Sequence, residues 1–566
     1  MDDLAQVAGP LTKVRDKWVL VDEDTAARAA DRQMPPVAPD EALRACLTGR
    51  VTVDGHTVEC EPGEGLADLV EFLRLGARTA PVSAPAGLQA TMRDYQHVGL
   101  AWLANTTDAG FGALLADDMG LGKSLTALAV HLHRRDQDRR PAGPTLIVCP
   151  ASMIINWERE VHRFAPSVPT LRYHGPDRTL NEVTPRTVVI TTYETLRRDV
   201  DVLAGQPFDL VVADEAQLIK NHRTATGQAM RRLMPSARIA LTGTPVENNL
   251  TEAWSVMDWI NPGLFGSLRT FRDQFARPIE ENITDADLTT RLSGLLKAFM
   301  LRRRKSDPGI LPELPSKIFS PRVVSLAPEQ IALYEEVADA TLRQIRSAEG
   351  MHRKGLLLNL FNKLQQICNT LAQYLSEPLD GDYDPQYAAV RSGKLAALDD
   401  LLPLLRSPDE STLIFTRYRA MAHYLLRHLR SQGLEPLYFS GDIPIGRERQ
   451  RLVDTFQSGT GKTMVMTVKA GGSGLTLTRA SHVVLFDRPW NPAKESQAID
   501  RAHRLGQQRT VTVHQLITEN TLEDRIDELL RHKRALADAV LADGYSALTE
   551  LTDEQICDLI ALGAQR

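Results

Sequence analysis

Eight residues, Asp117–Ser124, constrain the fold of this chain more than any other stretch; they read Asp-Asp-Met-Gly-Leu-Gly-Lys-Ser. A short apolar run, 112–116, precedes them, and apolar residues at helical spacing follow them. Strand, glycine-rich turn and helix in this order form the setting that a phosphate-binding loop requires. Glycines let main-chain N–H groups approach phosphate oxygens, and the helix adds the partial positive charge of its N-terminus. We therefore expect Lys123 to reach the β- and γ-phosphates of a nucleotide and Ser124 to complete a Mg²⁺ shell.

A pair of carboxylates downstream makes this interpretation more specific. The apolar run 210–213 predicts a buried strand, and Asp214 and Glu215 follow it at once. Open α/β sheets hold their ligands at the carboxyl ends of their strands. We interpret Asp214 as a Mg²⁺ ligand through water, and Glu215 as the group that orients and polarises an attacking water molecule. The loop matches the generic pattern imperfectly, because Asp117 stands in place of its first glycine. The acidic pair supports the interpretation as a nucleotide site despite this difference.

Two further segments extend the predicted nucleotide site. Gln96 lies at the start of a predicted helix, and its amide can donate to N7 and accept from N6 of adenine. The segment 242–245, Thr-Gly-Thr-Pro, follows another apolar strand, and its hydroxyl groups could sense loss of the γ-phosphate.

A second series of strands and helices begins after about residue 393. Apolar strands are predicted at 412–416, 464–467 and 482–487, and the glycine turn 469–475 can hold phosphates of ATP or of a nucleic acid. Near its end, Arg501 and Arg504 are three residues apart, which predicts that both lie on one face of a helix. Two guanidinium groups so placed could reach across a cleft to a phosphoryl group in transfer.

Together these motifs resemble the superfamily 2 ATPases of the Swi/Snf type, which are DNA translocases. The resemblance rests on the phosphate loop, on Asp-Glu-Ala-Gln at 214–217, on Leu-Thr-Gly-Thr-Pro-Val-Glu-Asn-Asn at 241–249 and on the arginine motif at 497–507. It covers about residues 87–542 and includes the family's motifs in their expected order. Gln217 stands where many relatives have histidine, which leaves open how hydrolysis is coupled to the threonine motif.

The resemblance implies an α/β fold with two tandem RecA-like parallel-sheet lobes, helical insertions and a small α+β N-terminal appendage. It also implies ATP and Mg²⁺ as cofactors, with Lys123, Asp214, Glu215, Arg501 and Arg504 in catalysis and Ser124 and Asp214 at the metal. The remaining nucleotide-binding positions, besides Lys123 and Ser124, are Arg93, Gln96, Asp118, Met119, Gly120, Leu121, Gly122 and Gly474. Candidate nucleic-acid contacts at strand ends are Ser152, Thr192, Tyr193, Ser440, Gly441 and Lys469.

We expect five segments along the chain. These are a helicase-associated N-terminal segment, a first lobe, a linker with a helical insertion, a second lobe and a C-terminal tail, at 1–86, 87–305, 306–392, 393–545 and 546–566. Within the N-terminal segment, the run 51–58 with its Asp-Gly pair predicts a hairpin, and 66–75 predicts a short amphipathic helix. The basic run 302–305 is either a solvated face or a phosphate-facing or interlobe part of the segment that connects the lobes.

Composition limits the classes of protein that remain. The net charge is −6, so a nucleic-acid binder would have to gather its basic residues in a cleft. The five cysteines are scattered without a CxxC pair, which argues against structural zinc and a disulfide scaffold. No signal segment or apolar run of about 18 residues is present, so we expect a cytoplasmic protein, associated with the nucleoid.

The expected function is an ATP-dependent translocase stimulated by duplex DNA of any sequence, which remodels or displaces DNA-bound protein. Phosphate contacts rather than base contacts are expected, so binding should depend strongly on salt. The alternatives are a helicase that separates strands of DNA or RNA, and a nucleotide switch with little turnover. A membrane partner is not expected.

Overall fold

The computed structural model describes residues 11–14, 17–20, 38–53, 56–75, 81–136, 143–243, 250–281, 286–444, 446–470, 475–527, 560 and 562. The chain divides into two compact units, Met1–Val70 and Glu71–Arg566. Across the described ranges, no helix is both long and apolar enough to span a bilayer.

The first unit contains two antiparallel strand pairs. β1 (Leu11–Val14) pairs with β2 (Lys17–Leu20), and β3 (Arg50–Val53) pairs with β4 (His56–Glu59). The second pair confirms the predicted hairpin strands, while the Asp54-Gly55 turn lies outside the described residues. A helix at Pro39–Thr48 precedes β3, and a second at Glu64–Leu75 confirms the predicted amphipathic helix.

The first lobe of the second unit is built on a seven-stranded parallel sheet. Its strands are β5 (Ala113–Leu115), β6 (Thr145–Cys149), β7 (Thr170–Tyr173), β8 (Val188–Thr192), β9 (Leu210–Asp214), β10 (Ala237–Leu241) and β11 (Met300–Leu301). The order across the sheet is β11-β5-β10-β9-β6-β8-β7. β6, β8 and β9 are buried along their whole length, as strands covered on both faces must be. The nucleotide-motif strands predicted from the sequence are therefore confirmed.

Helices cover this sheet and follow its strands. They lie at Asp94–Asp108, Lys123–Arg135, Ile154–Phe164, Tyr193–Arg198, Val200–Ala204, Ala225–Arg232, Leu250–Ile260, Leu268–Phe271, Arg277–Glu281 and Ala286–Phe299. Short 3₁₀ turns occur at Ala151–Met153 and Ala216–Ile219, and a π-helical turn at Arg272–Ala276.

The second lobe has a six-stranded parallel sheet. Its strands are β12 (Lys317–Val324), β13 (Thr412–Thr416), β14 (Leu437–Phe439), β15 (Thr463–Thr467), β16 (His482–Leu485) and β17 (Val511–Thr518), in the order β12-β17-β16-β13-β15-β14. Its helices lie at Pro328–Arg346, Gly350–Asn369, Leu371–Leu375, Pro385–Val390, Gly393–Asp399, Leu402–Leu405, Arg419–Ser431, Arg447–Ser458 and Pro492–Ile499. Two parallel-sheet lobes confirm the predicted α/β class.

Strand β12 lies within the segment expected to be a linker with a helical insertion. It pairs along eight residues with β17 and forms the edge of the second sheet. Three of its apolar side chains, Ile318, Phe319 and Val323, are exposed, and Pro321 lies in its middle. A proline and an irregular burial pattern are typical of an edge strand, and they remove the alternation by which a strand is recognised in sequence.

The helical placement of the two arginines is wrong. The helix Pro492–Ile499 ends before them, and Arg501 and Arg504 lie in the turn that follows. The carbonyl of Arg501 accepts a hydrogen bond from the N–H of Leu477, a residue distant in sequence, rather than from a continuing helix. Gly506, with φ of 97°, ends the turn in the left-handed region that favours glycine.

Candidate nucleotide site and interlobe cleft

The phosphate loop follows β5 and ends at the helix that begins with Lys123. Gly120 and Gly122 have φ angles of 92° and 81°, which L-residues with side chains rarely adopt. A Cβ on Gly122 would lie 2.3 Å from Gln96 Nε2, and one on Gly120 would lie 2.6 Å from Arg504 Cγ. The backbone conformation therefore favours glycine at both positions, and an added side chain would displace Gln96 or Arg504.

Lys123 lies at the mouth of this loop. Its Nζ donates to the carbonyls of Asp117 at 2.6 Å and Asp118 at 3.2 Å. Burial lowers the pKa of Lys123, and the nearby carboxylates, with Glu215 the strongest, partly offset that effect. The ammonium thus lies between two main-chain carbonyls and close to carboxylates, and a bound phosphate would replace the two carbonyls as its partner. Ser124 lies beside it in the first turn of the helix.

The two acidic residues lie at the carboxyl end of β9, and both are buried. Asp214 Oδ2 accepts a hydrogen bond from Trp157 Nε1 at 2.8 Å, and Oδ1 accepts one from the N–H of Glu215 at 3.0 Å. Desolvation, followed by the charge of Glu215, raises the pKa of Asp214 to about 7. Glu215 has a φ of 52°, an uncommon conformation that turns it away from the strand direction. The donor set is therefore rich in carboxylate oxygens, which suit a hard divalent cation.

Gln217 connects this acidic pair to the threonine motif. Its Nε2 donates to Glu215 Oε2 at 2.7 Å, and its Oε1 accepts from Thr242 Oγ1 at 2.8 Å. An amide can make both bonds at once because it carries a donor and an acceptor. This bridge gives a physical path for the coupling that the sequence left open, while Thr244 and Pro245 lie outside the described residues.

Arg501 is the least satisfied cation among the described residues of this site. Its side chain is buried, with the residue 1% exposed, and Nε and Nη2 have no hydrogen-bond partner among the residues that the structure describes. Its Nη1 donates to the carbonyl of Leu475 over a long distance of 3.4 Å. Burial, and next the charge of Arg504, lowers its pKa to about 10, and Glu215 acts in the opposite direction. Buried unpaired donors are costly, so this geometry fits a site for phosphate oxygens.

Arg504 contacts the same loop from the second lobe, as its approach to Gly120 shows. It also lowers the pKa of Lys123, although less than burial does. Side chains from both lobes therefore meet around one point, the phosphate loop.

The residues predicted for adenine and for the rest of the loop lie close together. Gln96 is buried, and its Nε2 donates to the carbonyl of Leu121 at 3.1 Å while its Oε1 accepts from the N–H of Arg93 at 3.0 Å. Arg93 forms an ion pair with Glu313. Met119 packs against Gly243, and a Cβ added to this glycine would lie 2.7 Å from Met119 Cγ. Gly474 lies outside the described residues.

The predicted nucleic-acid contacts occupy different environments. Thr192 and Ser440 are buried and bonded internally, and Tyr193 donates its hydroxyl to the carbonyl of Asp214 at 2.7 Å. Gly441 and Lys469 are exposed. Ser152 lines a cleft between the lobes with a volume of about 1030 Å³, which we call the interlobe cleft.

Five arginines that sequence reasoning missed line the interlobe cleft. Two come from the first lobe and three from the helix Arg447–Ser458 of the second, and one of the first pair, Arg159, donates to Gln450 Oε1 at 2.7 Å. They provide the local basic surface that a chain of net charge −6 would need to bind a polyanion. The alternation Arg-Glu-Arg-Gln-Arg at 447–451 was the available signal. The five are Arg159, Arg172, Arg447, Arg449 and Arg451.

Asp214 leads to a prediction about stability without metal. A folded-state pKa near 7 means that the folded protein keeps a proton that the unfolded chain, with an ordinary pKa of 3.8, has released. The free energy of unfolding should therefore fall as pH rises between about 4 and 7. Asp214→Asn has no carboxyl group to titrate and does not lose stability in this way. The difference between its unfolding temperature and that of wild type should therefore increase from about pH 4.5 to pH 8. Thermal unfolding in chelator checks this, and a pH-independent difference would contradict it.

Known proteins resemble this chain over most of its length. A family model described as SNF2-related domain matches residues 95–373, and one described as helicase conserved C-terminal domain matches 393–506. A putative ATP-dependent helicase/translocase of Bacillus subtilis is 37% identical over 512 residues, which cover 90% of this chain and 55% of the relative. An ISWI chromatin-remodeling complex ATPase of Saccharomyces cerevisiae is 31% identical over 495 residues, which cover 84% of this chain and 43% of the relative. Among solved structures, the Sulfolobus solfataricus SWI2/SNF2 ATPase core in complex with double-stranded DNA is 35% identical, with a TM-score of 0.43, covering 86% of this chain and 100% of that chain.

Proposed function

Because this chain belongs to the SNF2 family, a family of ATP-hydrolysing superfamily 2 proteins, we propose that it is an ATP-driven translocase on duplex DNA. The chain spans about half the length of the curated relatives it matches. The observation that supports the proposal is that side chains of both lobes meet at the phosphate loop, and that both lobes also line a basic cleft.

The roles of the residues follow from charge and position. Lys123 neutralises phosphate oxygens, and Gln96 with Arg93 lies where an adenine edge could be held. Glu215, held by Gln217, orients and polarises the attacking water. Arg501 and Arg504 meet the negative charge that develops as the γ-phosphoryl group is transferred. Bound Mg²⁺, held at Ser124 and Asp214, would neutralise charge on the phosphates.

Movement would follow from the fact that the two lobes share one ligand. When the γ-phosphate is present, cations of both lobes can bind it, and its loss removes the attraction that holds them together. Because the interlobe cleft is lined from the same two lobes, opening and closing would alternately change its grip on a bound polymer. Directional stepping along DNA is the proposed result.

The proposed DNA surface is the interlobe cleft. Guanidinium groups can bind phosphate oxygens through two parallel hydrogen bonds. Five of them line the cleft beside Ser152, and Arg172 among them is already paired with Glu158. Such contacts position a duplex without reading its sequence, so sequence-independent binding is proposed. A protein bound in the path of the translocase would be displaced, which is the remodelling activity we propose.

Arg159→Ala should weaken duplex binding to the same extent on unrelated sequences. The side chain is exposed and lines the cleft, so its loss removes one phosphate contact. The slope of log K against log salt should fall by about 1 in magnitude. Arg269→Ala, a 94% exposed arginine outside the cleft lining, is the matched control and should bind as wild type does. Equal slopes for Arg159→Ala and wild type would remove Arg159 from the DNA surface.

Displacement of a third strand from a DNA triplex tests translocation directly. We expect ATP-dependent release of the third strand, while the underlying duplex stays paired. Glu215→Gln supplies the control without turnover. Release of single strands from the duplex would instead indicate a helicase, and no release in the presence of rapid ATP hydrolysis would contradict translocation.

A further inference from the structure

The segment that follows β11 contacts the phosphate loop of the first lobe and the turn of the second lobe that holds Arg501 and Arg504, which we call the arginine turn. It leaves the first sheet at Leu301, whose carbonyl accepts from the N–H of Ala116 at 2.7 Å, just before the phosphate loop. Before the second sheet begins at β12, the segment passes the phosphate loop and the arginine turn. We call residues 303–305 the strap.

One end of the strap is fixed to the phosphate loop. Arg303 donates to Asp117 Oδ1 through its N–H at 3.1 Å and through Nε at 3.0 Å, and its Nη2 forms a further bond with Asp117 Oδ2. The N–H of Asp118 donates to the carbonyl of Arg303 at 3.0 Å. Asp117, which replaces the glycine of the generic loop, therefore serves as the anchor of the strap.

The other end of the strap is fixed to the arginine turn of the second lobe. Lys305 Nζ lies 2.9 Å from Asp500 Oδ1 and donates to the carbonyl of His503 at 2.6 Å. Its own N–H donates to Asp118 Oδ2 at 3.0 Å. The side chains of Lys305 and Asp500 are only 7% and 13% exposed, so their attraction is weakly screened.

The geometry of this link is short and specific. Lys305 is bonded on one side to Asp118 in the phosphate loop and on the other to Asp500 and His503, the residues that flank Arg501 and precede Arg504. Two extended residues span at most about 7 Å, so the strap allows little slack between Arg303 and Lys305. The position of both arginines relative to the loop is thus tied to one buried lysine.

We propose that Lys305 is a positioning residue that fixes Arg501 and Arg504 against the phosphate loop when the lobes close. This inference rests on the proposed ATP hydrolysis and names a residue that controls it. Lys305 bonds to the phosphate loop through its main-chain N–H, whereas its side chain bonds to Asp500 and His503, so the side chain acts through the arginines rather than on the phosphates. Loss of Lys305 leaves Asp500 buried without its partner and frees the arginine turn.

Steady-state ATP hydrolysis with saturating duplex DNA provides the first test. Lys305→Ala should lower kcat by about 10²-fold, the loss caused by misplacing a positioned group by ~1 Å, with KM for ATP within about twofold of wild type. Lys305→Arg, which can donate to both Asp500 and the His503 carbonyl, should recover most of the loss. Lys297→Ala, an exposed lysine on the helix before the strap, is the control and should behave as wild type does.

A double-variant cycle separates a positioning role from a general loss of structure. If Lys305 acts through Asp500, the variant with both residues changed to alanine should lose no more kcat than the worse single variant. The proposal would be overturned if the kcat loss of the double variant equalled the product of the two single losses. A rise in KM without a fall in kcat would also overturn it. So would wild-type kcat in Lys305→Ala.

The distance between the lobes provides a test that does not need turnover. With a donor dye on the first lobe and an acceptor on the second, energy transfer in the presence of a non-hydrolysable ATP analogue should show a smaller closed fraction for Lys305→Ala than for wild type. An unchanged fraction would overturn the inference. If wild type hydrolyses no ATP in any condition, the proposed function fails, and this measurement alone decides the role of Lys305.

Discussion

Replacing Arg501 with alanine should lower the turnover number for ATP by about 10³- to 10⁵-fold, the range found for arginine fingers in phosphoryl transfer. The reason is that its guanidinium group is buried and that two of its nitrogens have no hydrogen-bond partner in the described part of the chain. Such a group gains most when negative charge develops on the transferred phosphoryl group, so it stabilises the transition state more than bound ATP. The affinity for ATP, measured with a fluorescent analogue, should change far less than kcat.

Two further variants make this expectation specific. Arg501→Lys keeps the charge but cannot bind two phosphate oxygens in a fork, so it should recover only a small part of the activity. Arg504→Ala should also lower kcat, and duplex DNA should stimulate it much less than wild type because Arg504 reaches the loop only from the second lobe. If Arg501→Ala kept near-normal kcat and lost ATP affinity instead, the group would be a ground-state phosphate ligand rather than a transition-state one.

Glu215→Gln should reduce ATP turnover by about 10²- to 10⁴-fold while nucleotide binding is retained. Glu215 is buried beside Asp214, and its carboxylate accepts from Gln217, whose amide also binds Thr242. Glutamine has the same shape but cannot take part in proton transfer from water, so ATP-bound protein should accumulate on duplex DNA. Filter retention of labelled ATP with DNA, compared between the variant and wild type, measures this accumulation.

The two carboxylates have different proposed roles, and a second variant tests whether these roles are assigned correctly. Asp214→Asn should weaken nucleotide binding that depends on Mg²⁺, since it removes the proposed metal ligand. Were Glu215→Gln to lose nucleotide affinity while turnover per bound ATP stayed intact, the roles assigned to the two acids would be reversed.

The sequence predicted the first-lobe features because they are local. A glycine turn between an apolar strand and a helix, and two acids after a buried strand, each depend on a few neighbouring residues. The parallel-sheet class, which the family resemblance implied, is confirmed. The roles of Asp214 and Glu215 stay predictions until the variants are measured.

The features that the sequence did not predict depend on contacts between distant residues. The bonds from Arg303 to Asp117 join positions 186 residues apart, and Trp157 bonds to Asp214 across 57 residues. No periodic pattern in the sequence predicts either contact. The arginine turn was predicted as a helix because three-residue spacing suits one, whereas the helix ends at Ile499 and the carbonyl of Arg501 accepts from the distant N–H of Leu477. Long-range bonds of this kind override local preference.

ATP turnover measured without nucleic acid, with duplex DNA, with single-stranded DNA and with RNA tests the central claim most directly, with Glu215→Gln as the blank in each condition. The account predicts low turnover by the protein alone and a large increase with duplex DNA of any sequence, reduced by raising the salt concentration because phosphate contacts hold the duplex. Turnover that no nucleic acid accelerates, or that only single strands or RNA accelerate, would contradict it.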